Sequence, residues 1–204
     1  MPNRTRWQRH WNVMASKDTN GRPSETFDLA IAQDVGQKLG LRTQDVILDA
    51  GCGTGIIEKY FPNNFIIAMD FSRLMVCRPH ITHGLVADST YFPLKPTSVD
   101  KICIYSLIQY LQNKEVASLL SEVSRCMVDG GRCLIGDVEL RSKRPANIAR
   151  FLVAGALYRR RFHYRSFGWL SEECDKRYLK CEVLHQRSSL PYHQIRVDLL
   201  ITKK

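Results

Sequence analysis

The sequence predicts an α/β fold in which a mostly parallel sheet carries helices on both faces. Two observations predict it. Short runs that are mostly apolar alternate along the chain with segments of helical periodicity. These runs show no regular polar alternation, which is typical of a parallel sheet that is buried on both faces. The five runs are Val46 to Leu48, Phe65 to Met69, Leu85 to Ala87, Val99 to Tyr105 and Arg132 to Val138.

Helical segments precede and separate these strands. From Glu25 to Leu41 the apolar residues recur at about the helical period, and Gly40 provides a C-terminal stop. Ile56 to Tyr60 follows the first strand, and Lys114 to Met127 places its apolar residues on one face. We therefore expect one leading helix, followed by strands that alternate with helices.

The end of the chain has a different pattern. Cys181 to Gln186 and Ile195 to Thr202 are predicted strands, and only Arg187 to Tyr192 joins them. Parallel neighbours need a longer crossover connection than this. We expect an antiparallel pair at one edge, which gives a seven-stranded, mostly parallel sheet with an antiparallel last strand.

Length and composition indicate a single globular domain over residues 1–204. The hydrophobic fraction is 44% and the charged fraction 25%, which are ordinary values for such a domain. Seven cysteines occur without a C-x-x-C pair, which favours reduced thiols in a cytoplasmic protein. We expect no metal site, no secretory signal and no membrane span.

A glycine-rich loop follows the first predicted strand: Asp49-Ala50-Gly51-Cys52-Gly53-Thr54-Gly55. In open α/β sheets, ligands bind at the carboxyl ends of the strands, and glycines there let the backbone approach a ligand closely. The main alternative interpretation of this loop is the dinucleotide-binding loop of a dehydrogenase, and two details count against it. Its third glycine would stand where this chain has Ile56, and the acidic Asp49 precedes the first glycine by two residues.

These residues resemble the first motif of the class I S-adenosylmethionine-dependent methyltransferases, and later segments match that family in order. Val99 to Leu111 resembles its fourth strand and the loop after it, and Asp129 to Ile135 resembles the turn into its fifth strand. The resemblance is to the type-11-like branch, which acts on small molecules. It implies a Rossmann-like, doubly wound sheet and S-adenosyl-L-methionine as cofactor.

The resemblance also implies a set of cofactor-binding residues. Asp70, at the end of the second strand, would accept both ribose hydroxyls, a spacing that dehydrogenases share. Asp88, at the end of the third, would accept the adenine amino group. Each of these aspartates, taken alone, is more often a cap or turn residue. The full set is Trp11, Asp49, Gly51, Cys52, Gly53, Asp70, Phe71, Ser72, Asp88, Ser89 and Tyr105.

Two segments are expected to form the acceptor side. Residues 1–24, with Trp7 and Trp11, resemble the aromatic-rich cover of many small-molecule methyltransferases, and residues 141–178 form an insertion. Asp137 ranks first as a catalytic base because it lies near the carboxyl end of the fifth strand. His163, Tyr164 and His193 follow, since an imidazole titrates near neutrality.

The chain has a net charge of +10, and its basic residues concentrate between 141 and 161. Three interpretations stay open for that segment: a lid with arginines that bind phosphate, peripheral membrane contact through 150–162, or a solvated face.

The resemblance and the charge together leave three functions open. They are methylation of a small molecule or glycan precursor by O- or N-transfer, RNA methylation, and a non-catalytic cofactor-binding subunit that activates a partner.

Phe167 to Glu173 resembles the stretch that opens the last helix in the type-11-like branch. There, a serine caps a helix with acidic residues in its first turn. The expected role of this stretch is structural.

Overall fold

The computed structural model describes residues 11–13, 15, 25–139, 163–190 and 193–204. Seven strands form one sheet in the order β3-β2-β1-β4-β5-β7-β6. β7 is antiparallel to both of its neighbours, and the other pairings are parallel. The predicted fold is thus confirmed. The strands are β1 Val46–Ala50, β2 Phe65–Asp70, β3 His83–Val86, β4 Val99–Tyr105, β5 Met127–Val138, β6 Leu179–His185 and β7 Val197–Lys203.

Helices cover both faces of this sheet. One face carries α1 Glu25–Leu39 and α2 Ile56–Tyr60, whose apolar residues pack with Ile47, Cys103 and Leu134. The other carries α4 Asn113–Cys126 and α5 Phe167–Asp175, which pack on Leu48, Ile102 and Ile135. The short α3, Arg73–Val76, contacts β2 and β3. The described chain is therefore a doubly wound α/β domain.

Several element boundaries differ from the sequence prediction. α1 ends at Leu39, and Gly40 adopts the left-handed conformation of a helix stop, with φ of 63°. β5 starts at Met127, five residues earlier than expected, because Val99 pairs with Met127 before the regular register begins at Lys101 and Arg132. β3 ends at Val86, so Asp88 lies beyond the strand and does not end it.

The helix cap near the end of the chain is also different. α5 starts at Phe167, and Ser166 is its N-cap, with the side-chain oxygen accepting from the Trp169 backbone N–H. The serine within the stretch 167–173, Ser171, therefore lies inside the helix. Leu170 and Cys174 enter the core beside α4, so residues 167–175 of the expected insertion are part of the domain's own packing.

A buried polar cluster joins α1 to the β5–β7 pair. The carboxylate of Asp198 is fully buried; its Oδ1 accepts from the Asp137 backbone N–H and from Gln186 Nε2, both at 2.9 Å. Its Oδ2 lies 2.6 Å from Lys38 Nζ, which lies 2.6 Å from Asp34 as well. A charge in such a position is tolerated only because its partners replace water.

We expect Asp198→Asn to lower the free energy of unfolding by about 3 kcal/mol, because the Lys38 ammonium would keep only one of its two carboxylates in a dry environment. Urea denaturation measures this. Glu182→Gln is the matched control: it breaks an exposed pair with Lys180, and such pairs contribute less than about 1 kcal/mol. Equal losses in the two variants would contradict a structural role for the buried cluster.

Candidate active site

The glycine-rich loop leaves β1 in a conformation that favours glycine. Gly51, Gly53 and Gly55 have φ of 83°, 55° and 75°. The N–H groups of Gly51 and Cys52 both donate to the Met69 carbonyl, at 2.7 and 3.1 Å, which ties the loop to β2. A Cβ on Gly51 would meet Leu107 at 3.1 Å. The loop therefore presents bare backbone at the carboxyl edge of the sheet.

Asp70 lies beside this loop and is almost fully buried. Its Oδ2 accepts from the Gly53 N–H at 3.2 Å, and its Oδ1 accepts from the Ser72 N–H at 2.8 Å. Burial raises its pKa to about 6, an effect that the N–H groups of Ser72, Gly53 and Phe71 partly offset. A carboxylate has about four acceptor positions, so these contacts leave room for a ligand hydroxyl.

Asp49 lies on the side of β1 that faces α1 and α2. It is buried, pairs in register with Cys103 on β4 and accepts from the Cys103 thiol. Burial, and then the charge of Asp49, raise the pKa of the Cys103 and Cys52 thiols well above the usual range. Cys52 thus stays a neutral thiol and contributes to the loop through its backbone.

The described part of the amino-terminal segment lies over the same edge. The Trp11 ring meets the Tyr110 ring edge-on, with centroids 5.4 Å apart. Asn12 Oδ1 accepts from Ser72 Oγ at 2.5 Å, and the Ala15 carbonyl accepts from Arg78. These contacts connect the segment to the ends of β2 and β4, where a cover for a ligand has to lie.

Asp88 and Ser89 lie in the loop after β3. Asp88 Oδ1 accepts from the Thr90 N–H at 2.8 Å and from Thr90 Oγ1 at 2.6 Å. This is the turn geometry that aspartate supports with its own side chain. Both residues are half-buried, and they follow Ala87, whose N–H donates to the Asp70 backbone carbonyl at 3.1 Å.

A β-bulge positions Asp137. Between Ile135 and Val138 the register of β5 against β7 shifts by one residue, so Gly136 and Asp137 together face Asp198. Asp137 has φ of 61°, a left-handed conformation that aspartate adopts more readily than most residues. The bulge therefore redirects this carboxylate away from the sheet.

The redirected carboxylate meets two polar side chains. Its Oδ2 accepts from Ser106 Oγ and contacts the Arg196 guanidinium. Ser106, just after β4, also has a left-handed backbone, with φ of 54°. Burial tends to lower the pKa of Arg196, but the Asp137 carboxylate outweighs this and the pKa is raised. Two adjacent residues held in such backbone conformations are typical of functional sites.

Tyr105 is adjacent to this group. It pairs in register with Gly136, and a Cβ on Gly136 would lie 2.3 Å from the Tyr105 ring. The ring therefore occupies space that any other residue at 136 would fill. This contact fixes the Tyr105 ring at the end of β4, the strand that lies between β1 with Asp49 and β5 with Asp137.

His163 lies next to the loop after β4, where its N–H donates to the Gln109 carbonyl at 2.9 Å. The neighbouring Arg165 is buried and donates to the carbonyls of Ile108 and His163 and to Asn113. Burial lowers the pKa of Arg165 to about 10. A shallow pocket opens here, lined by Ile108, Gln109, Val138, Glu139, His163 and Arg165.

His193 lies in the connection between β6 and β7. Its Nδ1 is 3.0 Å from the Leu190 carbonyl. Because β7 starts where β5 ends, with Val197 opposite Val138, this connection also lies at the carboxyl edge. The described contacts join Asp137 to Ser106 and Arg196, and they do not join it to His163 or His193.

Four residues of the site were not predicted from the sequence: Glu58, Arg165, Arg196 and Ser106. Arg165 and Arg196 lie in a chain with many arginines, so nothing in the sequence distinguishes them. Glu58 is 6% exposed in α2, a helix of five residues that is too short to show a periodicity. Only Ser106 carried a signal, since it directly follows a predicted strand.

Residues 48–135 match the family described as a methyltransferase domain. Within these residues, which are less than half of the chain, the sequence is that of a methyltransferase domain. The domain is a transferase that uses S-adenosyl-L-methionine as methyl donor. No curated protein sequence matches the chain.

Solved structures of similar fold extend the likeness beyond residues 48–135. A methyltransferase from Thermotoga maritima, described as a possible histamine N-methyltransferase, is 20% identical, with coverage of 87% and 89% and a TM-score of 0.64. The geranyl diphosphate C-methyltransferase of Streptomyces coelicolor, solved with Mg²⁺, geranyl diphosphate and S-adenosyl-L-homocysteine, is 15% identical, with coverage of 87% and 79% and a TM-score of 0.66.

A third structure is the Haloferax volcanii complex between the Trm112 activator and a putative methyltransferase. It is 14% identical, with coverage of 94% of this chain and 96% of that chain and a TM-score of 0.66. At these identities the three likenesses show the fold. They extend it over most of the chain.

The residues at the glycine loop fit S-adenosyl-L-methionine. The donor has a ribose diol, a sulfonium and an α-ammonium group, and the loop offers bare backbone beside the carboxylates of Asp49, Asp70 and Glu58. Within the described ranges, no group of three or more metal-ligating side chains occurs. No helix in the part of the chain that the structure describes is long and apolar enough to cross a membrane.

Two buried carboxyls make stability depend on pH. Burial raises the pKa of Asp70 to about 6 and that of Glu58 to about 7. Because the folded state holds these protons more tightly than the unfolded state, each adds stability at pH 4 that is lost as the pH rises through 6 and 7. We expect unfolding free energy to fall by on the order of 3 kcal/mol per carboxyl across this window.

Thermal unfolding of the ligand-free protein between pH 4 and 8 measures this slope. Asp70→Asn and Glu58→Gln should each flatten it, since an amide does not titrate. Asp129→Asn changes an exposed carboxyl and should leave the slope as it is in the unaltered protein. If both buried-site variants kept the full slope, the assignment would be wrong.

Proposed function

We propose that the chain transfers a methyl group from S-adenosyl-L-methionine to an oxygen or nitrogen of a small-molecule acceptor. The observation that carries this proposal is the polar group of Ser106, Asp137 and Arg196 at the ends of β4, β5 and β7. Asp137 and Arg196 are 16% and 25% exposed. A recessed group of this size suits a small acceptor that enters the crevice beside the donor.

In this proposal the glycine loop and the strand ends hold the donor. Gly51, Cys52 and Gly53 approach it through their backbone, Asp70 accepts the ribose hydroxyls, and Asp88 and Ser89 lie at the adenine. Phe71 and Ser72 line the end of β2. Trp11 and Tyr105 close the crevice on its open side, which keeps water from the methyl group.

The donor supplies an electrophilic methyl group, and the protein aligns the acceptor with it. Alignment at about 3 Å supplies much of the rate in such a displacement. Asp137 takes the proton of an acceptor hydroxyl or ammonium, and Arg196 and Ser106 hold its carboxylate in place. Asp137 ranks above His163 and His193 because it has positioning partners at the strand ends, as a general base requires.

The acceptor is proposed to carry an acidic or phosphate group. The chain has a charge of +10, and guanidinium groups match phosphate with paired hydrogen bonds. The Streptomyces relative by fold was solved with geranyl diphosphate, a phosphate-bearing ligand. The arginines between 141 and 161, and the segment 150–162, lie outside the described residues.

RNA is the alternative acceptor, because phosphate backbones attract a basic protein. The described arginines next to the crevice have partners within the protein. Arg165 donates hydrogen bonds to backbone carbonyl groups, and Arg196 forms an ion pair with Asp137. They therefore favour a small acceptor over a nucleic-acid backbone at this position.

Incubation with S-adenosyl-L-methionine labelled in its methyl group tests the acceptor class. We expect label in low-molecular-mass products from pools of phosphate-bearing metabolites or glycan precursors. Label transferred only to RNA or to protein would overturn the proposal. Donor binding with no transfer to any pool, together with activation of a co-purified protein, would favour the non-catalytic interpretation.

We expect Asp137→Asn to lower kcat/KM by about 10²-fold or more, the usual effect of losing a general base, with little change in affinity for S-adenosyl-L-homocysteine. Asparagine tolerates the left-handed backbone of this position, so the bulge should persist. Asp129→Asn, at the exposed start of β5, is the matched control. Equal kcat/KM in both variants would exclude Asp137 as the base.

A further inference from the structure

Gln109, just after β4, carries a buried hydrogen-bond acceptor that no described residue satisfies. Its Nε2 donates to the Ser106 carbonyl at 2.9 Å, and this bond orients the amide, because only the NH₂ group can donate to a carbonyl oxygen. Its Oε1 is buried and has no hydrogen-bond partner among the described residues. An unsatisfied buried acceptor is costly, so a ligand that donates to it gains affinity.

The hydrogen bonds of Gln109 connect it to the carboxylate of Asp137. Ser106, whose carbonyl accepts from the Gln109 amide, also donates through its Oγ to Asp137 Oδ2. The shallow pocket that Gln109 lines is also lined by Val138 and Glu139. These two residues directly follow Asp137 in the chain. The pocket therefore opens beside the strand end that carries this carboxylate.

A buried arginine holds the wall of this pocket in place. Arg165 Nη1 donates to the Ile108 and His163 carbonyls, at 2.9 and 3.1 Å. Its Nε donates to Asn113 Oδ1 at 3.0 Å, and the His163 N–H donates to the Gln109 carbonyl at 2.9 Å. These bonds tie the turn after β4 to the residues that precede α5. Fixed backbone thus presents the Gln109 side chain, as selective recognition of a ligand requires.

The described polar groups of the pocket favour a ligand that donates hydrogen bonds. Gln109 contributes an amide oxygen, and Glu139 contributes a half-buried carboxylate. The guanidinium of Arg165 is only 5% exposed and directs its described bonds to oxygens of the protein. A carboxylate or phosphate in the pocket would meet the like charge of Glu139 and the oxygen of Gln109, whereas an amine or a hydroxyl complements both.

Building on the proposed methyl transfer, we propose that Gln109 is a specificity-determining residue for the acceptor. Its Oε1 accepts a hydrogen bond from an N–H or O–H group at the end of the acceptor that is methylated. The selected acceptors are amines or alcohols without negative charge at this end, so any phosphate group that they carry lies outside the pocket. Molecules that cannot donate here are rejected, because the Gln109 oxygen would stay unpaired.

NMR titration of the full chain with butylamine and with butyrate tests the proposal. The two probes have equal chain length, and near neutrality the first is a cation with N–H donors and the second an anion. With S-adenosyl-L-homocysteine bound, we expect butylamine to shift the side-chain NH₂ resonances of Gln109. Gln109→Met should weaken butylamine binding at least about fivefold, the usual effect of losing one hydrogen bond. Butyrate should leave the Gln109 resonances unchanged.

The matched control is Gln33→Met, the same change on the exposed face of α1, and it should bind butylamine as the unaltered protein does. Methionine has a length similar to that of glutamine, so Gln109→Met should keep the melting temperature and the affinity for S-adenosyl-L-homocysteine. Equal butylamine binding by Gln109→Met and the unaltered protein would overturn the proposal. Weaker binding of S-adenosyl-L-homocysteine would do so as well, because it would assign Gln109 to the donor.

The binding readout requires no methyl transfer, so the two proposals can fail separately. If butylamine binds as expected and no pool accepts label, methyl transfer fails as the function, while Gln109 remains a residue that binds amines. If label reaches small molecules and Gln109→Met forms the same products at the unaltered rate, the assignment of Gln109 fails alone.

Discussion

The chain must leave β1 after Ala50 and enter α2 at Ile56, with only five residues between them, and this constraint organises the domain. The Met69 carbonyl accepts from both Gly51 and Cys52, and the Cys52 carbonyl accepts from Gly55, so these bonds hold the turn. Left-handed backbone at Gly51, Gly53 and Gly55 makes the turn possible. As a result, α2 starts directly above the strand ends, and Asp70 receives the Gly53 N–H. The crevice in which we propose that the donor binds lies beside this turn.

The two sides of that crevice are built by different means. On the side where we propose that the donor binds, backbone N–H groups of the glycine loop lie beside the buried carboxyl of Asp70. On the acceptor side, a bulge in β5 and a left-handed residue after β4 bring Asp137 and Ser106 together. The buried Asp198 supports the bulge by accepting the Asp137 N–H. The position of Asp137 thus depends on the salt bridge between Asp198 and Lys38, two residues that are 160 positions apart in the sequence.

The sequence predicted the order of strands and helices and the reversed final strand, because burial on both faces imposes apolar runs and a short link excludes a parallel crossover. It was less accurate at the ends of elements. The start of β5 and the end of β3 depend on pairing with neighbouring strands, and the cap of α5 depends on which serine reaches the Trp169 N–H. The residues in these contacts have only weak intrinsic preferences for the end of a strand or the cap of a helix.

By itself the sequence determined the glycine-rich loop after a buried strand, and the resemblance of this loop and of later segments to class I methyltransferases implied the donor. It also placed Asp70 and Asp137 at strand ends. Only the tertiary structure decided which other residues join them. Arg196 meets Asp137 because β7 returns antiparallel to β5, and Glu58 is buried because α1 and the sheet enclose a helix of five residues. Burial and pairing of this kind arise from segments far apart in the chain, where local pattern carries no information.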